Sequence, residues 1–153
     1  MSTIEARLEQ LGLPLPVAPP PVGAYVPAIR TGNLVVTSGQ LPFVGKQIVF
    51  EGKLGAQLHE QDGWNAARIC AVNALAQIKA CVGSLGMIKQ IVRVEGYVHS
   101  APDFRGQPHV LNGASELLVE LFGDAGRHTR IALGVAEMPL NAAVQLALWA
   151  EIS

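Results

Sequence analysis

The chain has 153 residues, of which half are hydrophobic and 15% are charged, with a formal net charge of −1. This length predicts one domain with one hydrophobic core. The balanced charge and the absence of a basic stripe argue against a protein dedicated to nucleic-acid binding. Because ordinary soluble chains are about 25% charged, the low charge predicts an apolar surface. We favour its burial against other subunits over a monomer with an apolar surface.

The first residues do not resemble a secretory signal. Glu5, Arg7 and Glu9 fall where a signal peptide needs an apolar core. No apolar run is long enough to span a membrane, so a cytoplasmic location is the default expectation. Cys70 and Cys81 lie in one predicted helix, roughly 16 Å apart along its axis, too far for a disulfide. Both are expected to be buried, reduced thiols.

The N-terminal residues predict an extension that precedes the domain. Apolar residues recur at helical spacing over residues 3–11, which predicts a short amphipathic helix. The proline-rich tract Pro14–Pro21 predicts extended chain across the surface. We therefore divide the chain into an extension over residues 1–20 and a single domain over residues 21–153.

The first part of the domain predicts β-structure. Two β-rich runs cover residues 24–31 and 34–38, and the Gly-Asn dipeptide between them is typical of a tight hairpin. Residues 43–53 predict another, irregular hairpin that turns at its glycines.

The remainder alternates between helices and strands. Residues 58–82 carry an apolar stripe that predicts a long helix. A second helix is predicted from Pro108 to Gly123. In the strand between these helices, Arg93 and Glu95 share a face, and one of them is expected to meet solvent or an interface. The predicted strands of this part cover residues 89–99, 129–136 and 143–152.

This order, β-β-β-α-β-α-β-β after the short first helix, predicts an α/β (α+β) fold. Both long helices would lie on one face of a mixed sheet. The other face would stay open in an isolated chain. An apolar open face is expected to pack against neighbouring subunits.

Arg130 is the strongest candidate for a functional side chain. It begins an apolar strand, where an unpaired charge is costly. A guanidinium suits a carboxylate especially well, through two parallel hydrogen bonds. The residues alone support two interpretations about equally: a clamp on a small carboxylate ligand, or a structural arginine paired with an acid across a subunit boundary. Arg127 lies nearby but is expected to be solvated.

Two motifs resemble the RidA/YjgF family, also labelled the endoribonuclease L-PSP family. One is Ser-Gly-Gln-Leu-Pro at residues 38–42. The other, over residues 130–139, fits the family pattern Arg-x-x-(Val/Leu)-x-Val-x-x-(Leu/Met)-Pro. The resemblance covers about residues 20–152. It implies a chorismate-mutase-like fold and a homotrimer, with clefts formed by Arg130 of one chain and residues of a neighbour.

The resemblance also implies a set of site residues, with Arg130 holding the substrate carboxylate. Gln145 stands where many deaminating members have a glutamate, and a neutral amide can orient water but cannot take its proton. Simpler interpretations stay open: packing for Tyr25, turn chemistry for Ser38 and local capping for Asn112. The catalytic candidates are Arg130 and Gln145, and the substrate-binding candidates are Tyr25, Ser38, Gly39, Asn112, Arg130 and Ala132.

Many family members hydrolyse reactive imines. The resemblance therefore implies conversion of a short 2-imino or enamine acid to the 2-keto acid and ammonia, without a metal or organic cofactor. Gln145 leaves open a non-catalytic trimer that binds a small carboxylate. Ribonuclease activity, ascribed to some members, is less expected for this charge balance. The expected partners are an imino or keto acid and further copies of the chain, with neither nucleic acid nor membrane.

Overall fold

A computed structural model describes residues 3–153, so Met1 and Ser2 of the predicted extension lie outside the described residues. From the first long helix onward, each predicted element is present within two residues of its predicted bounds. The helices and strands are α1 (Ile4–Gln10), β1 (Ala28–Thr31), β2 (Leu34–Thr37), β3 (Phe43–Val44), β4 (Gln47–Ile48), α2 (Glu60–Val82), β5 (Ile88–His99), α3 (Gln107–Phe122), β6 (Thr129–Val135) and β7 (Val144–Ile152).

Five strands form one mixed sheet in the order β1-β2-β7-β5-β6. Its neighbouring strands are antiparallel except for β5 and β6, which are parallel and joined through α3. A parallel pair needs such a crossover, because a tight turn can join only antiparallel strands. Strands β3 and β4 form a separate two-stranded ribbon. The predicted mixed sheet is confirmed, and β6 is one of its edges.

Both long helices lie on the same face of the sheet, as predicted. Helix α2 packs on β1, β2 and β7, helix α3 packs on β5 and β6, and the two helices pack against each other. Each fully buried Leu or Ile side chain of this core stabilises the fold by about 1.5–3 kcal/mol. None of the helices in residues 3–153 is long and apolar enough to cross a membrane. The largest buried side chains of the helices and sheet include Leu75, Ile78, Leu111, Leu117, Leu118, Leu121, Leu146 and Leu148.

The opposite face of the sheet is open in the isolated chain. Cross-strand pairing puts Ile29 beside Val36, and Leu133 level with Gln145 across Tyr97 of β5. Ile29 and Leu133 keep 55% and 52% of their surface exposed. The open face therefore carries exposed apolar side chains, together with Gln145 and the Arg93–Glu95 ion pair.

Helix α2 is buried on more sides than one apolar stripe would require. Asn73 and Gln77, one turn apart on the helix, are almost completely buried. Asn73 donates through Nδ2 to the carbonyl oxygens of Leu41 and Phe43, both at 3.0 Å. Gln77 donates to the carbonyl oxygen of Pro19 at 2.6 Å. Hydrogen bonds to passing backbone thus hold the proline tract and the β3 segment on the helix.

The short first helix is also packed on the domain. Thr3 caps α1 by accepting a hydrogen bond from the Ala6 backbone N–H, and Leu8 is fully buried in the main core. The guanidinium of Arg7 donates to the Leu121 carbonyl oxygen near the end of α3, at 2.6 Å. The first helix therefore contributes to the core, while the division at residue 20 stays a prediction.

The first strand is shorter than predicted. It begins at Ala28, and the preceding residues bend, so Tyr25 lies in a loop and not at a strand start. Pro27 has no backbone N–H to donate to a sheet. Its carbonyl oxygen accepts a hydrogen bond from the backbone of Ser38 at 2.8 Å. Pairing with β2 therefore becomes regular only after this proline.

One side-chain prediction is also wrong. Cys81 is exposed, because it lies in the last turn of α2, whereas Cys70 is buried as expected. Burial raises the pKa of the Cys70 thiol. Arg93 and Glu95 share a face as predicted and pair with each other, with 3.5 Å between Nε and Oε1, while both side chains stay partly exposed. Residues two apart on a strand share a face, which allows this pairing.

The close approach of α2 and α3 predicts a destabilising substitution. A Cβ atom added to Gly113 would lie 2.2 Å from the carbonyl oxygen of Trp64. Gly113→Ala should therefore lower the free energy of unfolding by about 1–3 kcal/mol through overpacking. Chemical denaturation would measure this change. Gly86→Ala is the matched control, since its Cβ would meet only Ser84 Oγ, at 3.3 Å. Wild-type stability in the Gly113 variant would contradict the close approach.

Candidate functional site

Arg130 extends from the edge strand β6 toward α3. Its Nη1 donates to Asn112 Oδ1 at 2.9 Å and to Ser115 Oγ at 3.2 Å. Partial burial lowers the pKa of Arg130 from its ordinary value, but an arginine stays charged at neutral pH. No carboxylate within residues 3–153 forms a salt bridge with it. Arg130 is thus held by neutral groups, and its positive charge has no carboxylate partner among the described residues.

A second layer of hydrogen bonds lies behind Arg130. Ser115 Oγ lies 2.8 Å from His128 Nε2, and His128 Nδ1 lies 2.6 Å from the Gly126 carbonyl oxygen. A carbonyl can only accept, so Nδ1 carries a proton, and in the neutral imidazole Nε2 accepts from the serine hydroxyl. Burial, and less strongly the charge of Arg130, lower the pKa of His128 against an opposing effect of the Gly126 carbonyl. The lowered pKa favours this neutral form.

Gln145 and Gly39 form a separate contact on the other side of the sheet. A Cβ atom added to Gly39 would lie 2.4 Å from Gln145 Oε1. Only glycine therefore allows the Gln145 amide to lie directly against this backbone. The pair presents a neutral side-chain amide beside backbone groups, which can orient a water by hydrogen bonds.

Tyr25 and Ser38 lie in the adjoining loops. Ser38 donates its hydroxyl to the Val26 carbonyl oxygen at 2.6 Å, which leaves Oγ as an acceptor. The Tyr25 hydroxyl accepts from the Val22 backbone N–H at 3.1 Å, which leaves its proton free to donate. These two loop residues thus offer one acceptor and one donor to a ligand.

The proline tract supports this loop through α2. Gln77 donates both to the carbonyl oxygen of Pro19 and to Gln40 Oε1, the latter at 3.2 Å. Gln40 in turn donates to the Ser38 carbonyl oxygen at 3.1 Å. The cleft between the tract, Tyr25 and the loop has a volume of ≈ 20 Å³. That is enough for about one water, so this cleft alone does not hold a substrate.

The predicted site residues fall into two groups that do not meet within one chain. Strand β5 lies between Arg130 on β6 and Gln145 on β7. Arg130 is level with Leu148, three residues from Gln145. Strand spacing and rise then separate the Cα atoms of Arg130 and Gln145 by about 14 Å. Their side chains also lie on opposite faces of the sheet. The chain therefore carries two separate groups of candidate residues, which we call the arginine half-site, on β6 and α3, and the amide half-site, around Gly39 and Gln145.

Ala132 lies beside the arginine half-site on the same strand. It lies two residues after Arg130, and its side chain packs against the main core. Because β6 is an edge strand of the sheet, one side of its backbone has no strand partner among residues 3–153. The N–H and C=O groups on that side can bind a ligand or another chain beside the guanidinium.

Sequence reasoning missed Ser115 and His128. Two signals were available. His128 lies two residues before Arg130, where the motif begins, and Ser115 lies three residues after Asn112 on the same helix face. Within residues 3–153, no group of three or more His, Cys, Asp or Glu side chains could hold a metal ion.

Known proteins are similar to this chain in sequence and in fold. A model of the family described as "YjgF/chorismate mutase-like, putative endoribonuclease" matches residues 5–152. The chain is 39% identical over 151 residues to Protein TCP17 of Trypanosoma cruzi, covering 98% of this chain and 94% of that one. It is 27% identical over 132 residues to a 2-iminobutanoate/2-iminopropanoate deaminase of Dermatophagoides farinae, covering 86% and 88%. A crystal structure of a protein of unknown function from Agrobacterium tumefaciens matches with a TM-score of 0.93 and 42% identity, covering 98% and 92%.

The lowered pKa of His128 predicts how stability depends on pH. As pH falls, the unfolded chain takes up this proton first, near the ordinary pKa of 6.5, and the folded chain takes it up at lower pH. The stabilisation is therefore complete above about pH 6.5 and is lost as pH falls through the folded-state value. Unfolding free energies between pH 7.5 and pH 5 should fall more steeply for wild type than for His128→Gln.

The matched control for this pH series is His109→Gln, because His109 is exposed on α3. Its pH dependence should follow that of wild type. Identical slopes for wild type and His128→Gln would contradict a neutral, buried role for His128.

Proposed function

The chain belongs to the YjgF/chorismate mutase-like family, and from this premise we propose that it hydrolyses short 2-imino or enamine acids to 2-keto acids and ammonia. The observation that carries this proposal is Arg130, a charged arginine fixed by two neutral side chains and without a carboxylate partner in the described chain. A substrate carboxylate is the natural counter-ion for such a group. The 27% identity to a protein named as a 2-iminobutanoate/2-iminopropanoate deaminase supports the same reaction class.

We propose that the complete active site forms between copies of the chain in a homotrimer. The two half-sites are too far apart to hold one small substrate within a single chain. The arginine half-site lies on a free sheet edge, and the open face of the sheet is apolar enough to pack against a neighbour. In this arrangement, Arg130 of one copy faces Gly39 and Gln145 of the next.

In the proposed reaction, Arg130 binds the carboxylate, with Asn112 and the free backbone edge at Ala132 completing the anion site. The amide of Gln145 and the backbone beside Gly39 orient a water toward the imine carbon. The water oxygen bonds to that carbon and a proton passes to the nitrogen. The resulting carbinolamine then expels ammonia and leaves the 2-keto acid.

This reaction does not require a strong base in the site. An imine carbon is already electrophilic, so orientation and electrostatic stabilisation can lower the barrier. The Tyr25 hydroxyl can donate to the departing nitrogen or to the carboxylate, and Ser38 Oγ can accept from the water. The site residues proposed here therefore supply positions and dipoles, while the substrate supplies the reactivity.

A second candidate function is a binding protein for small 2-keto acids, and Gln145 favours it. An amide at this position cannot take a proton from water at neutral pH. The same two half-sites would then hold a carboxylate without turnover. The Gln145 experiment below separates the two functions.

Arg130→Ala should lower kcat/KM for 2-iminopropanoate by at least about 100-fold, because a charge-assisted contact to the carboxylate is lost. Ammonia release from freshly generated 2-iminopropanoate measures this. Arg127→Ala is the matched control, since Arg127 is exposed and pairs only with Asp124 among the described residues. Wild-type activity in the Arg130 variant would overturn the carboxylate clamp.

Gln145→Glu should raise ammonia release by about 10²-fold if turnover is limited by the missing base, because general-base catalysis contributes about 10²–10⁴-fold.

The same assay and variant test the alternative function, a binding protein. A wild-type protein that releases no ammonia, yet is stabilised by about 2.7 kcal/mol at 2-ketobutanoate concentrations of 100 times Kd, would be a binding protein. Ammonia release by wild type that needs Arg130 would instead establish the deaminase.

A further inference from the structure

The arginine half-site contains a continuous chain of directional hydrogen bonds. It runs from the Gly126 carbonyl through His128 and Ser115 to Nη1 of Arg130. The links at the two ends have one possible direction, because the carbonyl only accepts and the guanidinium only donates. When His128 is neutral, it donates through Nδ1 and accepts from the Ser115 hydroxyl through Nε2. The neutral imidazole with its proton on Nδ1 is the form that completes the chain.

The hydrogen-bond series is held at both of its sides by helix α3. Asn112 and Ser115 lie on α3, one turn apart. Gly126 is buried so closely against the same helix that an added Cβ would lie 2.2 Å from the Leu118 carbonyl oxygen. Movement of the Gly126 carbonyl relative to Ser115 is thus restricted by backbone-to-backbone contact.

Arg130 keeps its Nε and Nη2 donors available for a ligand. Both hydrogens of Nη1 are used, one by Asn112 and one by Ser115. The Nε–H and the Nη2 hydrogens have no hydrogen-bond partner within residues 3–153. Nε and Nη2 form one edge of the planar guanidinium, and that edge can bind both oxygens of a carboxylate.

We propose that Ser115 and His128 are positioning residues that fix Nη1 of Arg130 and thereby present its Nε and Nη2 edge to the ligand carboxylate. This inference rests on the proposed function for the identity of the ligand. The orientation of the guanidinium is a property of the chain itself and can be measured without any ligand. Ser115 and His128 do not touch the substrate in this proposal and act only through Arg130.

The test uses Ser115→Ala, with Ser115→Thr as the conservative variant that keeps the hydroxyl. Alanine should raise KM for 2-iminopropanoate and Kd for 2-ketobutanoate by about 5- to 20-fold, the effect of one lost hydrogen bond to a charged group. The value of kcat should change less than about twofold, because substrate and transition state both carry the carboxylate. Threonine should restore both constants. A general loss of structure would lower kcat as well and would appear in circular dichroism.

A ligand-free measurement separates this inference from the proposed function. NMR spectra of wild type should show slow rotation about the C–N bonds of the Arg130 guanidinium, so that its N–H hydrogens exchange positions slowly. They should also show His128 protonated on Nδ1. Ser115→Ala and His128→Phe should both speed that rotation, and Ser115→Thr should not. Fast rotation in wild type, or unchanged rotation and Kd in Ser115→Ala, would overturn the positioning role. Slow rotation without ammonia release would retain it and reject only the deaminase.

Discussion

The close packing of α3 against its surroundings is the constraint on which the arginine half-site depends. Three glycines permit it, because added Cβ atoms at Gly96, Gly113 and Gly126 would lie 2.2–2.3 Å from Leu111, Trp64 and Leu118 respectively. Strand β5, helix α2 and the turn before β6 thus each approach the same helix at a residue without a side chain. Asn112 and Ser115 are held by that packing at hydrogen-bond distance from Arg130.

The contacts of Asn73 and Gln77 on α2 show how buried polar groups can hold neighbouring segments of the chain. Their side-chain N–H groups donate to the carbonyl oxygens of Leu41, Phe43 and Pro19, which lie outside the main sheet. Buried amides are tolerated when they are hydrogen-bonded, and they select one register of the passing chain. The N-terminal tract is connected in this way to the loop that contains Ser38 and Gly39.

Local patterns predicted the regular elements well because long helices and strands repeat their burial over several turns or residues. Arg130 was singled out because a charge at the start of an apolar strand is unusual, and the Ser-Gly-Gln-Leu-Pro loop was singled out by the family resemblance. The contact between Ser115 and His128 depends on the rotation of α3 about its axis relative to β6, which no local pattern encodes. The separation of Gln145 from Arg130 likewise depends on strand order and sheet face. Tyr25 lies in a loop before β1 and not in the predicted strand, because regular pairing with β2 begins only after Pro27.

The double anchoring of Arg130 Nη1 has an entropic consequence. A free arginine side chain has about 2 kcal/mol of rotamer entropy, which a ligand must remove on binding. Here the fold restricts the side chain before any ligand arrives, so that loss is counted in folding and not in association. An arginine immobilised in advance discriminates by shape as well as by charge, since it cannot turn to follow an anion of the wrong geometry. An anion that offers two oxygens to that fixed fork can accept from both donors at once, whereas an anion that offers one oxygen cannot.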